Sequence, residues 1–300
     1  MDRTARCLLC DGEAQRITYP YGTRWNGRCF DYRRCTECGA SVLDPLPDEA
    51  DFARMYRPSD YHDSFYEELT EPTPTALASV ARKLRPSGRV LDFGCGNGAF
   101  MVTAGAAGFR CEGVELDPDM RARAAASSGC PVRPLEAVEA EGGGYDAIHL
   151  GDVLEHLPDP AGMMRRLQPL LGESGLFFIE GPLEDNASPV YYASRLFGAA
   201  KAALRRPLRG TYPPYHLLRT SAAAQRRFFE RRLGWRVEHF GVFETGWPYL
   251  NPGDNLLRPG SVGKLARMAI GGSARALAAA AQPLGLPIGN RFAALVRPPA

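Results

Sequence analysis

Two groups of residues in this 300-residue chain have the types and spacing to do chemistry. The first is a pair of C-x-x-C motifs, Cys7-Leu8-Leu9-Cys10 and Cys35-Thr36-Glu37-Cys38. Each spacing lets two sulfurs point at one ion from a tight turn. Two such turns make a closed tetrahedral thiolate set, which suits structural zinc. Gly12 and Gly39 follow the pairs and permit the left-handed turns such knuckles need. Four thiolates leave excess negative charge on a divalent ion, and Arg6, Arg33 and Arg34 stand beside the ligands to offset it. A segment of about 45 residues has too little core to fold alone, so the metal supplies its stability. Redox-active pairs would instead open a helix in a βαβ setting. Residues 18–23 read as short strands and turns. Cys29 fits neither pair.

The second group is the run VLDFGCGNG at residues 90–98. A buried strand enters a glycine-rich turn and then a helix. Gly94, Gly96 and Gly98 remove Cβ atoms where backbone must approach a ligand, with Cys95 between them. The dinucleotide fingerprint G-x-G-x-x-G is not met, because Ala99 takes its third glycine position. Asp92 faces the loop. A carboxylate there suits a ligand bearing ammonium and sulfonium and repels a pyrophosphate. Glu115 ends the next strand, where an acidic side chain can accept both hydroxyls of a ribose.

The elements that position these residues alternate. Strands are expected at Val90–Phe93, Cys111–Glu115, near Val132, at Tyr145–Leu150 and at Leu176–Glu180. Helices are expected at Ala99–Ala107, Pro118–Ser127 and Pro160–Leu171. A helix from Ser221 to Leu233 and strands at Trp235–Phe240 and Arg291–Val296 complete the pattern. Strands alternating with helices imply a parallel sheet covered on both faces, an α/β fold. Before it, Glu49–Leu69 and Thr75–Leu84 read as helical. The expected organisation is a zinc-binding module at 1–48, a helical cap or linker at 49–85, and an α/β domain at 86–300. Insertions fall at 182–219 and 247–288, and residues 262–286 read as an amphipathic helix.

VLDFGCGNG, GVELDP and YDAIHLGDVLEHLPDP together resemble successive motifs of class I S-adenosylmethionine-dependent methyltransferases. The resemblance covers about 86–181 and extends more loosely to the C-terminus. It implies a seven-stranded, Rossmann-like sheet ordered 3-2-1-4-5-7-6, with a small zinc-ribbon-like module in front. It also places Asp92, Gly94, Cys95, Gly96 and Gly98 around the methionine part of S-adenosylmethionine and Glu115 on its ribose. Leu116 would flank the adenine, Glu136 would meet the adenine amine, and Gly151 and Asp152 would line the cleft beneath the methyl group.

Methyl transfer needs an aligned nucleophile and, for a hydroxyl, a base. Histidine suits that task near neutral pH. His156 follows the fourth strand of the sheet. His216 lies in the Pro- and Tyr-rich segment Gly210-Thr211-Tyr212-Pro213-Pro214-Tyr215-His216, where packing alone does not explain it. His216 and His156 are the candidate bases, with Tyr212 beside the first and Glu155 placed to orient the second. His149 and His239 fall inside strands and read as structural, and His62 as part of a cap over the cofactor. The Tyr212-Pro213-Pro214-Tyr215 run matches the PPY motif of amino-methylating enzymes only by chance, since that motif belongs after the fourth strand.

Two C-x-x-C pairs ahead of this core resemble bacterial sugar and surface-polysaccharide methyltransferases, which implies a small-molecule, carbohydrate acceptor. The sugar C-methyltransferases are longer, which favours O-methylation. Arg205, Arg206 and Arg209 could hold a nucleotide-sugar diphosphate or touch anionic lipid beside a lipid-linked acceptor. A zinc-module ribosomal-RNA guanine methyltransferase is an alternative, but those modules are shorter and contain a histidine. A non-catalytic, zinc-dependent interaction protein is another, which the intact loop and Glu115 oppose. The net charge of +2 lacks the basic stripe that nucleic-acid binding requires. No apolar run spans a bilayer and no apolar signal core follows the N-terminus, so a cytoplasmic location is expected.

Overall fold

The computed structural model describes residues 5–17, 22–56, 88–204, 210–245 and 261–299. The helix expected at Thr75–Leu84, His62, and Arg205, Arg206 and Arg209 lie outside them. The chain divides into two compact units: Met1–Leu46 with Gly181–Phe228 and Phe240–Phe292, and Pro47–Glu180 with Phe229–His239 and Ala293–Ala300.

In chain order, β1 (Ala5–Arg6), β2 (Glu13–Ile17), β3 (Thr23–Trp25), β4 (Arg28–Cys35) and β5 (Ser41–Asp44) open the first unit. They form an antiparallel meander in which β4 is central, pairing β2, β3 and β5. Phe30, Tyr32, Val42 and Leu43 are its large buried side chains. Next comes α1 (Glu49–Met55), with Asp48 as its N-cap: the Asp48 carboxylate accepts from Asp51 N–H at 2.9 Å.

The second unit then builds strand–helix repeats: β6 (Arg89–Phe93), α2 (Ala99–Ala106), β7 (Arg110–Val114), α3 (Pro118–Ser128), β8 (Val132–Arg133), α4 (Leu135–Glu141), β9 (Tyr145–Gly151), α5 (Pro160–Leu167) and β10 (Leu171–Pro182). The helices start where the sequence provides a cap. Asp117 and Asp159 accept from Met120 and Gly162 N–H at 2.8 Å, each with proline at the first helical position. The remaining elements are α6 (Pro189–Ala203), β11 (Leu218–Arg219), α7 (Ala222–Arg227), β12 (Arg236–Phe243), α8 (Ser261–Ala281) and β13 (Arg291–Arg297).

The main sheet has seven strands in the order β12-β13-β10-β9-β6-β7-β8. Renumbered within the sheet, that is the expected 3-2-1-4-5-7-6 read from the other edge. The β6–β7, β6–β9, β7–β8 and β9–β10 pairs are parallel. β6, β9 and β10 are near-continuous buried runs, as a sheet covered on both faces requires. Leu91, Ile148, Phe177 and Ile179 are wholly buried, and Trp235 stacks on Phe177 with ring centres 4.9 Å apart.

Three local expectations need correction. The helix expected over Pro160–Leu171 stops at Leu167; Gln168–Leu170 tightens to a 3₁₀ turn around Pro169, whose ring forbids the next helical bond. α4 was not foreseen, because seven residues opened by proline give too short a period to read. The helix over Ser221–Leu233 is α-helical only to Arg227 and widens into a π turn at Phe228–Arg232. That extra residue per turn lets the adjacent Phe228 and Phe229 both be buried.

The two insertions are tied within the first unit. β11 adds to the module's sheet by pairing with β5. Asn186 is buried, donates to Pro287 and Gly289 carbonyls at 2.7 and 2.9 Å, and accepts from Ala222 N–H at 3.1 Å. On α8, Ala274, Ala278 and Ala281 form one buried stripe. Asn186→Ala orphans three backbone groups, and urea unfolding should show a loss of about 2–4 kcal/mol; an unchanged midpoint would remove Asn186 from this role.

Candidate functional site

The glycine loop follows β6. Gly94, Gly96 and Gly98 all have positive φ, at 74°, 51° and 84°. A side chain at Gly94 would meet Val153 Cγ2 at 2.8 Å, so the loop lies close against the turn that follows β9. Gly94 and Cys95 N–H both donate to Val114 O, at 2.8 and 3.1 Å, which pins the loop to the end of β7. The Cys95 thiol is buried among Met101 and Ala124 and therefore packs rather than faces a ligand.

Glu115 stands at the end of β7. Its carboxylate accepts from Leu116 N–H at 2.7 Å, Gly96 N–H at 3.0 Å and Asp117 N–H at 3.3 Å. Burial holds its carboxyl above the usual range, against the pull of those donors. Leu116 beside it is 83% exposed, an apolar side chain held open to solvent. Glu136 sits at the start of α4 and pairs with Arg166 at 3.2 Å. Asp152 is exposed and has φ of 53°, the strained conformation of a turn that must redirect the chain after Gly151.

Asp92 lies beneath the loop in β6 and is 2% exposed. Its Oδ1 contacts His149 Nδ1 at 2.7 Å, and His149 Nε2 lies 3.3 Å from Glu180 Oε1. These three residues come from β6, β9 and β10, adjacent strands of the sheet. Phe100 stacks on the imidazole at 3.6 Å. Burial pulls the His149 pKa down, but the Asp92 charge and hydrogen bond, then Glu180, raise it to about 9. Both carboxylates thus favour the protonated imidazole clamped between them. Among the described residues, Asp92 Oδ2 has no hydrogen-bond partner. A buried acceptor kept without a donor beneath a bare backbone turn fits a cationic ligand such as the methionine end of S-adenosylmethionine.

The structure gives both candidate bases a partner. In the first unit, His216 Nδ1 lies 2.8 Å from Glu184 Oε2, and Arg219 lies 3.5 Å from the other oxygen of Glu184. The Tyr32 hydroxyl donates to the His216 carbonyl at 2.7 Å. Burial pushes that hydroxyl up to about 12, so it stays a neutral donor. Tyr212 is half exposed, and its carbonyl accepts from Thr23. In the second unit, His156 lies in a 3₁₀ turn and its Nδ1 is 3.2 Å from the Tyr56 hydroxyl. Glu155 approaches His156 only to 3.9 Å. Glu184, Tyr56 and Glu180 were missed by sequence reasoning, since no spacing links them to the histidines they meet.

At the N-terminus, the Cys7–Cys38 and Cys10–Cys35 sulfur pairs are each 3.5 Å apart, and all four sulfurs lie within 4.8 Å of one another. A regular tetrahedron with Zn–S bonds of about 2.3 Å has edges of about 3.8 Å, so the donor set fits zinc. The hydrogen bond from Cys7 pulls the Cys38 thiol down to about 5, while the same bond pushes Cys7 up.

A family model described as a methyltransferase domain matches residues 65–242. Over 148 residues the chain is 32% identical to a ubiquinone biosynthesis O-methyltransferase of Xanthomonas axonopodis pv. citri, covering 46% of this chain and 60% of that protein. The corresponding Xanthomonas oryzae protein gives the same identity and coverage. The chain thus spans about 60% of the length of these curated relatives. A SAM-dependent methyltransferase structure from Archaeoglobus fulgidus is 20% identical, covers 79% of this chain and 100% of its own, and has a TM-score of 0.46. One from Mesorhizobium loti is 18% identical, covers 74% and 97%, and has a TM-score of 0.42.

Replacing His149 by Gln leaves Asp92 and Glu180 buried without their cation and should cost about 3–5 kcal/mol. Because folding raises the His149 pKa from 6.5 to about 9, its stabilising effect is complete below pH 6.5 and fades as pH rises through 9. Urea titrations of the wild type and the variant should therefore converge across that window. A gap that stays constant with pH would mean the imidazole is neutral.

Proposed function

The chain belongs to the methyltransferase-domain family, and from that premise we propose that it carries a methyl group from S-adenosylmethionine to a hydroxyl oxygen of a small-molecule acceptor. One observation carries the reading: a strand, a three-glycine turn and a helix, with Glu115 closing the turn through Gly96 N–H. The relatives named O-methyltransferases support oxygen over carbon. Those names refer to ubiquinone biosynthesis and give no support to the carbohydrate expected from the zinc motif, so the acceptor class rests on its hydroxyl alone.

When bound, S-adenosylmethionine supplies an electrophilic methyl group on a cationic sulfur. Gly94, Gly96 and Gly98 offer bare backbone to its methionine end, and Asp92 keeps one oxygen for the positive charge. Glu115 exchanges backbone partners for the ribose hydroxyls. Leu116 covers the adenine, and Glu136 reaches its amine by releasing Arg166. Gly151 and Asp152 shape the cleft floor. His216 is the base, its imidazole oriented by Glu184 through Nδ1 at 2.8 Å.

Calorimetry with S-adenosylhomocysteine should show about 10- to 100-fold weaker binding in Glu115→Ala, the worth of one charged hydrogen bond. Turnover should be followed with labelled S-adenosylmethionine and a panel of nucleotide sugars and polyprenyl phenols. His216→Ala should lower kcat about 10²- to 10⁴-fold, with cofactor binding intact. If His156→Ala takes that loss and His216→Ala does not, His156 is the base.

Cys7, Cys10, Cys35 and Cys38 hold zinc in a purely structural role, stabilising the 1–48 module ahead of a cap at 49–85 and a catalytic domain at 86–300. Chelation should raise hydrogen exchange across β1–β5 and leave β6 and β9 protected. Exchange that stays unchanged in the meander after the metal is gone would defeat the zinc assignment.

A further inference from the structure

Like charges directly opposite one another in an antiparallel pair repel and cost stability. The β2–β4 ladder places Arg16 opposite Arg34. Among the described residues, neither guanidinium makes a hydrogen bond or an ion pair to a carboxylate. The contrast with the next residue is direct: Arg33 is bound to Asp44 at 2.6 Å. Buried Asp185 feels the charge of Arg34, but it accepts from Ser41 and lies more strongly under Arg219. Arg34 also lies against Gly39 of the second cysteine knuckle, whose thiolates offset part of its charge, but no carboxylate bonds either guanidinium.

A third arginine joins them. Arg195, on α6, has its guanidinium 5.4 Å from the centre of the Tyr191 ring. Arg16, Arg34, Arg195 and Ile17 line a cavity of about 370 Å³ within the first unit. A planar guanidinium offers a rigid fork matched to phosphoryl oxygens. A single carboxylate satisfies one such fork, whereas three converging forks call for an anion with more charge and more oxygens. Ile17, 55% exposed, adds an apolar wall for the carbon group next to them.

We infer that Arg16, Arg34 and Arg195 form a binding site for a diphosphate group carried on an organic molecule. The anion would bridge the two opposed strands and relieve their repulsion. The inference is independent of the methyl-transfer reading, since it concerns binding alone.

The test uses the full, metal-replete chain at low ionic strength, where such contacts are least screened. Calorimetric titration with pyrophosphate should show saturable binding, weakened at least about tenfold by Arg16→Gln and by Arg195→Gln. Metal content and circular dichroism confirm that each variant is folded. If Arg34→Gln, beside Cys35, fails to fold, the other two variants decide. Uridine diphosphate and vesicles containing farnesyl diphosphate separate the sources: tighter binding of the first assigns a nucleotide, and of the second a lipid-borne diphosphate. No pyrophosphate binding, or binding that neither Arg16→Gln nor Arg195→Gln weakens, overturns the inference. Binding to phosphatidylglycerol vesicles without affinity for pyrophosphate also overturns it.

Discussion

A carboxylate in the middle of a parallel sheet, covered on both faces, has no water to solvate it, and Asp92 is in that position. Its charge must be met from inside the sheet, and the strand register decides by what. Asp92 lies beside His149 across the β6–β9 pair. Glu180 reaches the far side of the same imidazole from β10. The result is a carboxylate–imidazolium–carboxylate row, with Phe100 stacked on the cation. Buried charges of this kind cost desolvation and fix arrangement more than they add stability. Here the arrangement is the alignment of three strand ends. The glycine turn leaves β6, the Gly151–Asp152 turn leaves β9, and the Glu180 carbonyl accepts from Asp152 N–H at 3.1 Å. The loops proposed to hold the cofactor hang from strands that this row ties together.

The first unit solves a different problem. Its meander is small, and its short strands bury few large side chains. Two external supports make up the shortfall: four converging cysteine sulfurs, and strand β11 from the first insertion. The second support has a functional side. β11 begins two residues after His216, and the Tyr32 hydroxyl from β4 donates to the His216 carbonyl. Glu184 is fixed from the start of the same insertion and holds the imidazole. The cysteine-held sheet therefore sets the backbone of the proposed base. The proposed structural metal would govern activity by that route without any part in the chemistry.

The π turn at Phe228–Arg232 and the buried Asn186 show how the insertions are kept in place. Both use backbone groups rather than large apolar surfaces. Asn186 satisfies carbonyls at Pro287 and Gly289, where the chain returns toward β13. The two insertions are far apart in sequence, and one amide side chain joins their bases.

The strand order was implied by the family resemblance; the strand–turn–helix alternation, the glycine turn and the paired cysteines were legible in the linear sequence itself. Each of these last three is a local pattern: hydrophobic runs, proline and aspartate at helix starts, glycine where φ must be positive, and short fixed spacings between ligands. The limits of α5 and α7 were not, because a proline and two adjacent buried phenylalanines altered helical geometry in ways that periodicity does not register. The partners of the histidines were hidden for a stronger reason. His149 with Asp92 and Glu180, His216 with Glu184 and Tyr32, and Arg16 with Arg34 are pairs separated by long stretches of chain. Residue type says that a histidine needs an orienting group or that an arginine needs an anion. Only strand register and insertion packing decide which side chain, if any, arrives within hydrogen-bonding distance.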